Sequence, residues 1–336
     1  MLTRRDFLRA TAAGAALPRV AGLDGAAPAA QGVKPMRGAF MILHTPFTDA
    51  GAVDWDDLLR EASFVDRCGA HGIVWPQGSS SVANLTKDER MRGMALLAGA
   101  VRGWKAVLAL GVQGTHMDEM LEYARRAEAL APDAMIAMPP SGATSVGEYR
   151  EYFRALARVT ARPVIIQTSG GARDLPPPVE LIVELAREFP HLGYVKEESA
   201  PIIERMTAEI ARRPPMKRVF GANFGQGWLY EMRLGLDGVI TGNAMYADLM
   251  AKIWELHESG QRDRLRDAFG RFLLMRNLSQ QLPGVDLYIF RKRGIFKTTA
   301  TRGSGGAVVK ASLTAEAIAE IDDRFAALGA YLSSTS

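Results

Sequence analysis

A TIM (β/α)8 barrel with a C-terminal helical extension is the fold class the sequence predicts, and three observations predict it. After residue 35, short apolar runs alternate with longer amphipathic ones, the pattern of strands and crossover helices in a parallel sheet. The alternation occurs eight times and then stops, which matches the length of a barrel with an appendage. The first run ends in His44-Thr45-Pro46-Phe47, where an open doubly wound sheet would carry the turn G-x-G-x-x-G.

Residues 1–30 stand apart from this pattern. Thr3-Arg4-Arg5-Asp6-Phe7-Leu8 precedes a small, moderately apolar segment at 10–17 and then Ala26-Ala27-Pro28-Ala29-Ala30. This resembles a twin-arginine export signal ending in a small-residue cleavage region. A basic amphipathic helix or a disordered leader is the competing reading, and Arg9 and Arg19 interrupt the apolar character. Export places the mature protein in the periplasm or outside the cell. It is expected to have no membrane association once the signal is removed, because no later run approaches the length of a span.

The candidate strands are 39–47, 72–78, 106–112, 134–140, 163–169, 193–199, 218–223 and 238–244. Between and after them lie helical patterns at 54–68, 86–100, 117–129, 146–159, 178–188, 201–212, 226–234 and 246–257. In the first, Leu58, Leu59, Ala62 and Val65 share a face; in the second, Thr86 with Glu89 three residues on forms a capping box. The barrel is therefore expected over 36–257. Residues 258–336 read as helical, with helices at 262–278, near Leu287 and at 314–332, and with Gly303-Ser304-Gly305-Gly306 as a flexible connector.

Composition excludes several classes of function. The chain has 336 residues, 48% hydrophobic and 23% charged, with a net charge of +4 spread along its length rather than gathered in a basic run, so nucleic acid is not the expected partner. The single cysteine, Cys68, cannot form an internal disulfide, and no Cys/His cluster has zinc-ligand spacing. No metal and no cofactor are expected.

In a TIM barrel the chemistry sits at the C-terminal ends of the strands. Those positions include His44 and Thr45, Gly78 to Ser81, Pro139 to Ser141, Gln167 to Ser169, Lys196, Asn223, and Thr241 to Asn243; Lys196 is the one lysine among them. A lysine ending a strand inside a barrel loses hydration, which lowers its pKa and leaves part of it as a nucleophilic amine. The competing reading is a surface lysine paired with Glu197 or Glu198. An amine ringed by hydroxyls and amides suits imine formation with a carbonyl substrate.

The succession Thr45-Pro46-Phe47, Gly78-Ser79-Ser80-Ser81 with Leu85-Thr86, Pro139-Pro140, Pro163-Val164-Ile165-Ile166, Gly193-Tyr194-Val195-Lys196-Glu197 and Gly238-Val239-Ile240-Thr241-Gly242-Asn243 resembles the dihydrodipicolinate synthase and N-acetylneuraminate lyase family, over about residues 36 to 325. The resemblance implies a class I aldolase-type homotetramer in which Lys196 forms an imine with pyruvate or another 2-keto acid. Ser79 and Ser80 match the family's paired threonines, whose hydroxyls and backbone amides hold the substrate carboxylate. A polar strand-to-helix turn would also favour serine. Ile240 and Thr241 match the eighth-strand wall of the pocket, and Arg173 stands one residue from the place of a substrate-binding arginine.

The chain departs from the family where protons are moved. Gln167 and Thr168 stand where the family has tyrosine and asparagine, and an amide cannot relay a proton. Ser81 and Val82 replace glycine and glutamate, and Ser141 follows the double proline where a neighbouring chain's aromatic usually completes the relay. His44, with the parity of inward-facing Ile42, is the candidate replacement, with a hydrogen-bonded rim histidine as the alternative. Glu198 shares the parity of Lys196. The expected function is an exported lyase acting on pyruvate or a 2-keto-3-deoxy acid by retro-aldol cleavage or dehydration. The alternative is a protein that binds a keto acid without turnover.

Overall fold

The computed structural model describes residues 34–333, so residues 1–30, for which an export signal is expected, lie outside the described residues. The strands β1 (Gly38–Ile42), β2 (Gly72–Trp75), β3 (Val107–Gly111), β4 (Ala134–Ala137), β5 (Val164–Gln167), β6 (Tyr194–Lys196), β7 (Arg218–Gly221) and β8 (Gly238–Thr241) form a closed barrel in sequence order. Every pairing is parallel, and β8 closes on β1 with Gly238 opposite Gly38 and Thr241 opposite Met41. Closure needs glycine there, since a Cβ on Gly238 would meet the Gly38 carbonyl oxygen at 2.0 Å.

Alternating residues build two cores. Phe40, Ile42, Val74, Val107, Ile136, Ile165, Phe220 and Ile240 fill the barrel interior, while Ala39, Met41, Leu108, Ile166, Val195 and Val239 face outward under the helices. The helices α1 (Trp55–Arg67), α2 (Lys87–Ala100), α3 (Met117–Leu130), α4 (Val146–Val159), α5 (Val179–Glu188), α6 (Ile202–Ile210), α7 (Trp228–Leu234) and α8 (Ala247–Glu258) follow the strands one for one. The expected capping box is present: the Thr86 hydroxyl accepts from Glu89 N, and the Glu89 carboxylate accepts from Thr86 N.

Beyond the barrel lie α9 (Arg262–Gln281), α10 (Val285–Lys292) and α11 (Ala315–Ala327). A fully buried ion pair between Arg293 and Asp248 ties the end of α10 to the start of α8. The all-helical expectation for this region needs correction. β9 (Ala300–Arg302) and β10 (Val308–Lys310) form an antiparallel hairpin, and Gly303 to Gly306 make its turn rather than a connector. Strands of three residues are too short to show a periodicity. The hairpin is held from outside: Arg302 donates to both Glu89 oxygens, to Gly51 O and to Asn84 O. These partners lie in the β1–α1 and β2–α2 regions, so the hairpin docks at the strand C-terminal end of the barrel. Among the described residues no helix is long and apolar enough to cross a membrane.

Candidate active site

Lys196 is the last residue of β6 and keeps the inward parity of Tyr194, which packs on the interior core. It is flanked by Gln167 of β5 and Phe220 of β7 and is 5% exposed. Its amine is 3.1 Å from each oxygen of Glu198. Burial pulls the amine below the ordinary lysine pKa, and the Glu198 carboxylate opposes that shift in part. Both sequence readings of Lys196 therefore hold a part of the truth: it is ion-paired, but inside the barrel.

Around this pair the ends of β5 and β6 are laced together. The Ser169 hydroxyl donates to Glu198 Oε1, and Gln167 Nε2 donates to Ser169 Oγ at 3.1 Å. Gln167 is buried, and its Oε1 has no partner among the described residues. On the outward face, Thr168 Oγ1 donates to Glu197 Oε1 at 2.6 Å and accepts from Glu198 N at 3.0 Å. Glu197 is fully buried and also receives Ser199 N and the Arg205 guanidinium. Nearby Glu209 is pushed up to about 10, first by burial and then by the charge of Glu197. Burial and a neighbouring acid both disfavour a second charge there, so Glu209 keeps its proton. Glu197 N still donates to Phe220 O, and these side-chain bonds carry the alternation one residue further, which turns Glu197 outward and Glu198 inward.

The remaining candidates divide. Ser79 is partly exposed, and its hydroxyl packs against Gly242, where a Cβ would meet Ser79 Oγ at 2.3 Å. Ser79 therefore sits between β2 and β8 at the barrel mouth. Ser80 does not share that place, which corrects the expectation of a hydroxyl pair. Its Oγ is fully buried, donates to Leu43 O at 2.5 Å and accepts from Gln77 N at 3.0 Å, so it closes the turn after β2. Ile240 faces the interior. Thr241 has the opposite parity, and its Oγ1 accepts from Asn243 Nδ2 at 3.0 Å on the outer side. Two consecutive strand residues cannot both line one face.

His44 also requires correction. β1 ends at Ile42, so the alternation that would have aimed His44 inward lapses. Its backbone N–H donates to Glu61 Oε1 at 2.9 Å, its Nδ1 lies 3.7 Å from that oxygen, and its ring stands edge-on to Phe290. Glu61 is on α1, so His44 serves the seam between barrel and helices. Burial pushes Glu61 up to about 7 despite the His44 contacts. Arg173 is not brought to the site either: its side chain is 95% exposed beside Asp174. Gly170 packs on Met138 and Gly171 on Tyr149, and this carries the chain outward before Arg173 is reached.

Sequence reasoning missed a buried amide pair, Gln77 Nε2 donating to Gln113 Oε1 at 2.8 Å, which ties the ends of β2 and β3. It also missed Arg205 and Glu209, whose helical positions showed nothing beyond a charged face. A cavity of about 370 Å³ opens beside the mouth, lined by Arg90, Gln113, Met138, Ser141 and Gly170 among others. Two larger cavities, of about 740 and 610 Å³, run along α8 and beside α7, with no barrel-strand residue in their walls. Size alone does not select the site; the buried amine does.

Residues 35–277 match the profile of the Dihydrodipicolinate synthetase family. A 4-hydroxy-tetrahydrodipicolinate synthase of Chlorobaculum parvum is 29% identical over 205 residues, covering 61% of this chain and 68% of the relative. One from Rhizobium meliloti is 29% identical over 176 residues, covering 52% of this chain and 58% of the relative. Among solved structures, dihydrodipicolinate synthase from Aquifex aeolicus superposes with a TM-score of 0.77 at 18% identity, over 88% of this chain and 99% of that one. CdNal from Clostridium difficile, solved in complex with mannosamine, gives a TM-score of 0.73 at 18% identity, over 89% and 100% of the two chains.

Proposed function

The chain belongs to the Dihydrodipicolinate synthetase family, and from that membership we propose that it is a Schiff-base lyase acting on pyruvate or a 2-keto-3-deoxy acid. Lys196 forms an imine with the keto group, and the protonated imine draws electrons from C3, so that a C3–C4 bond breaks or a hydroxyl is eliminated. The observation that carries this is the Lys196 amine: it is buried at the inner end of β6, where desolvation favours the neutral nucleophile. Ser79 N–H and hydroxyl are assigned to the substrate carboxylate and Ile240 to the apolar wall. Relatives named 4-hydroxy-tetrahydrodipicolinate synthase support a lyase, while Gln167 at the end of β5 argues for a different reaction from theirs.

Borohydride reduction in the presence of pyruvate, followed by mass measurement of the peptide containing Lys196, tests the imine. An adduct on Lys196 that disappears in Lys196→Ala, with the far-ultraviolet circular dichroism unchanged, is the expected result. No adduct in the native protein would sink the reading. A second reading, a protein that captures a keto acid without turnover, is favoured by the inability of Gln167 to relay a proton. An adduct with no product from any of a panel of 2-keto-3-deoxy acids would select it.

Export and assembly belong to the same proposal. Arg4-Arg5 and the small-residue segment at 26–30 support periplasmic or secreted localisation, which fractionation of cells expressing the full chain would check. A homotetramer is proposed from the family, and light scattering giving a monomer mass would refute it.

A further inference from the structure

We propose that Glu198 is the catalytic acid–base of this site, a reading that rests on the Lys196 imine and supplies what that imine alone does not. Every step after the amine meets the carbonyl moves a proton, and the Gln167 amide neither accepts nor releases one near neutral pH.

Four observations select Glu198. Its carboxylate is the one side chain hydrogen-bonded to the Lys196 amine among the described residues, at 3.1 Å through both oxygens. It is held there by a backbone bond to Thr168 and by the Ser169 hydroxyl, so its position does not depend on the amine. Its side chain is 18% exposed, against 6% for Lys196, and so remains open to a ligand at the mouth. The other acids lie on the outer side of the strands: Glu197 is held there by Thr168, Ser199 and Arg205, Glu209 stands beside Glu197 on α6, and Glu61 on α1 accepts from His44 N.

The proton count closes on this one group. The Lys196 ammonium gives a proton to Glu198, and the neutral amine attacks C2, placing the carbonyl electron pair on oxygen. Glu198 protonates that alkoxide and takes a proton from the new nitrogen cation, which yields a carbinolamine. It then protonates the hydroxyl, which leaves as water, and the nitrogen lone pair forms the protonated imine with Glu198 again a carboxylate. Cleavage repeats the exchange: Glu198 takes the C4 hydroxyl proton as the C3–C4 pair moves into the enamine, an aldehyde departs, and Glu198 returns that proton to C3. Glu198 lies 3.1 Å from the nitrogen that becomes bonded to C2, so no second titrating group is needed.

The test is exchange of the pyruvate C3 protons in heavy water, followed by nuclear magnetic resonance, beside borohydride trapping on the same protein. The native chain is expected to form the adduct and to exchange. Glu198→Gln should form the Lys196 adduct more slowly, because water must then carry the proton transfers of imine formation, but still reach it on long incubation, and should lose exchange by about a hundredfold or more. Glu198→Ala should behave alike and recover exchange on addition of formate, which a merely structural role would not produce. Exchange at the native rate in Glu198→Gln, or a native chain that traps pyruvate without exchanging it, would overturn the assignment. An absence of adduct in the native chain would instead defeat the imine on which it rests.

Discussion

Both oxygens of Glu198 stand 3.1 Å from the amine of Lys196, two residues away along the chain and on the same inner face of the barrel. The pair sets opposing forces on one proton. Burial disfavours the ammonium, and the carboxylate favours it.

The pH dependence of trapping follows from that balance. Because burial is the larger influence, the rate of borohydride-trapped adduct formation should rise with pH about a midpoint below the ordinary lysine value of 10.5. Removing the carboxylate removes the opposing force, so Glu198→Gln should move the midpoint lower still. A pH–rate profile between pH 6 and 10 reads both; a midpoint that rises in the variant contradicts the balance described.

Ser79 and Ser80 should separate by phenotype. Ser80→Ala leaves Leu43 O and Gln77 N without their buried partner and is expected to cost about 1–3 kcal/mol of stability in a denaturant titration. Ser79→Ala should leave stability unchanged and weaken pyruvate trapping about tenfold, the order expected for one hydrogen bond to a carboxylate. Equal loss of stability in both variants would contradict the division.

Glu209 gives a stability prediction with a definite sign. The folded chain holds a proton on Glu209 up to about pH 10, whereas the unfolded chain releases it above the ordinary value of 4.5. The stability it contributes is therefore full below 4.5 and is lost as the pH rises toward 10. Glu209→Gln should leave Tm almost unchanged near pH 4.5 and stabilise the protein by roughly 1–3 kcal/mol at pH 8. A difference independent of pH would show that the proton is not what matters.

Arg302 should anchor the hairpin. It makes a two-pronged contact with Glu89, with both distances 2.9 Å, and its guanidinium lies 4.6 Å from the Phe47 ring centre. Arg302→Ala should cost about 1–3 kcal/mol and speed amide exchange in β9 and β10; Arg302→Lys should rescue little, since an ammonium cannot match the fork.

Much of the fold was legible because barrel strands are short apolar runs and helices repeat every 3.6 residues. Met41 and Ile42, or Val195 and Lys196, already show by sequence alone which face each should take while the strand lasts. The hairpin was not legible, because β9 and β10 have no pattern of their own and depend on Glu89, Gly51 and Asn84, more than 200 residues earlier. The inward placement of Lys196 and Ile240 was legible. His44, Ser80 and Thr241 were misplaced because each lies at or beyond the end of a ladder, where hydrogen bonds to Glu61, Leu43 and Asn243 decide the direction.

The order of eight strand–helix units, the chemistry available at their ends and the place of Lys196 among them were determined by the sequence itself, since hydrophobic period and strand parity are local properties. Which side chains meet was decided only by the tertiary structure. Glu198 could have curled away from Lys196; it turns inward because Thr168 and Glu197, from adjacent strands, bond to each other and hold the backbone in step past its last ladder bond. That arrangement requires β5 and β6 to be neighbours, and only the closed barrel makes them so.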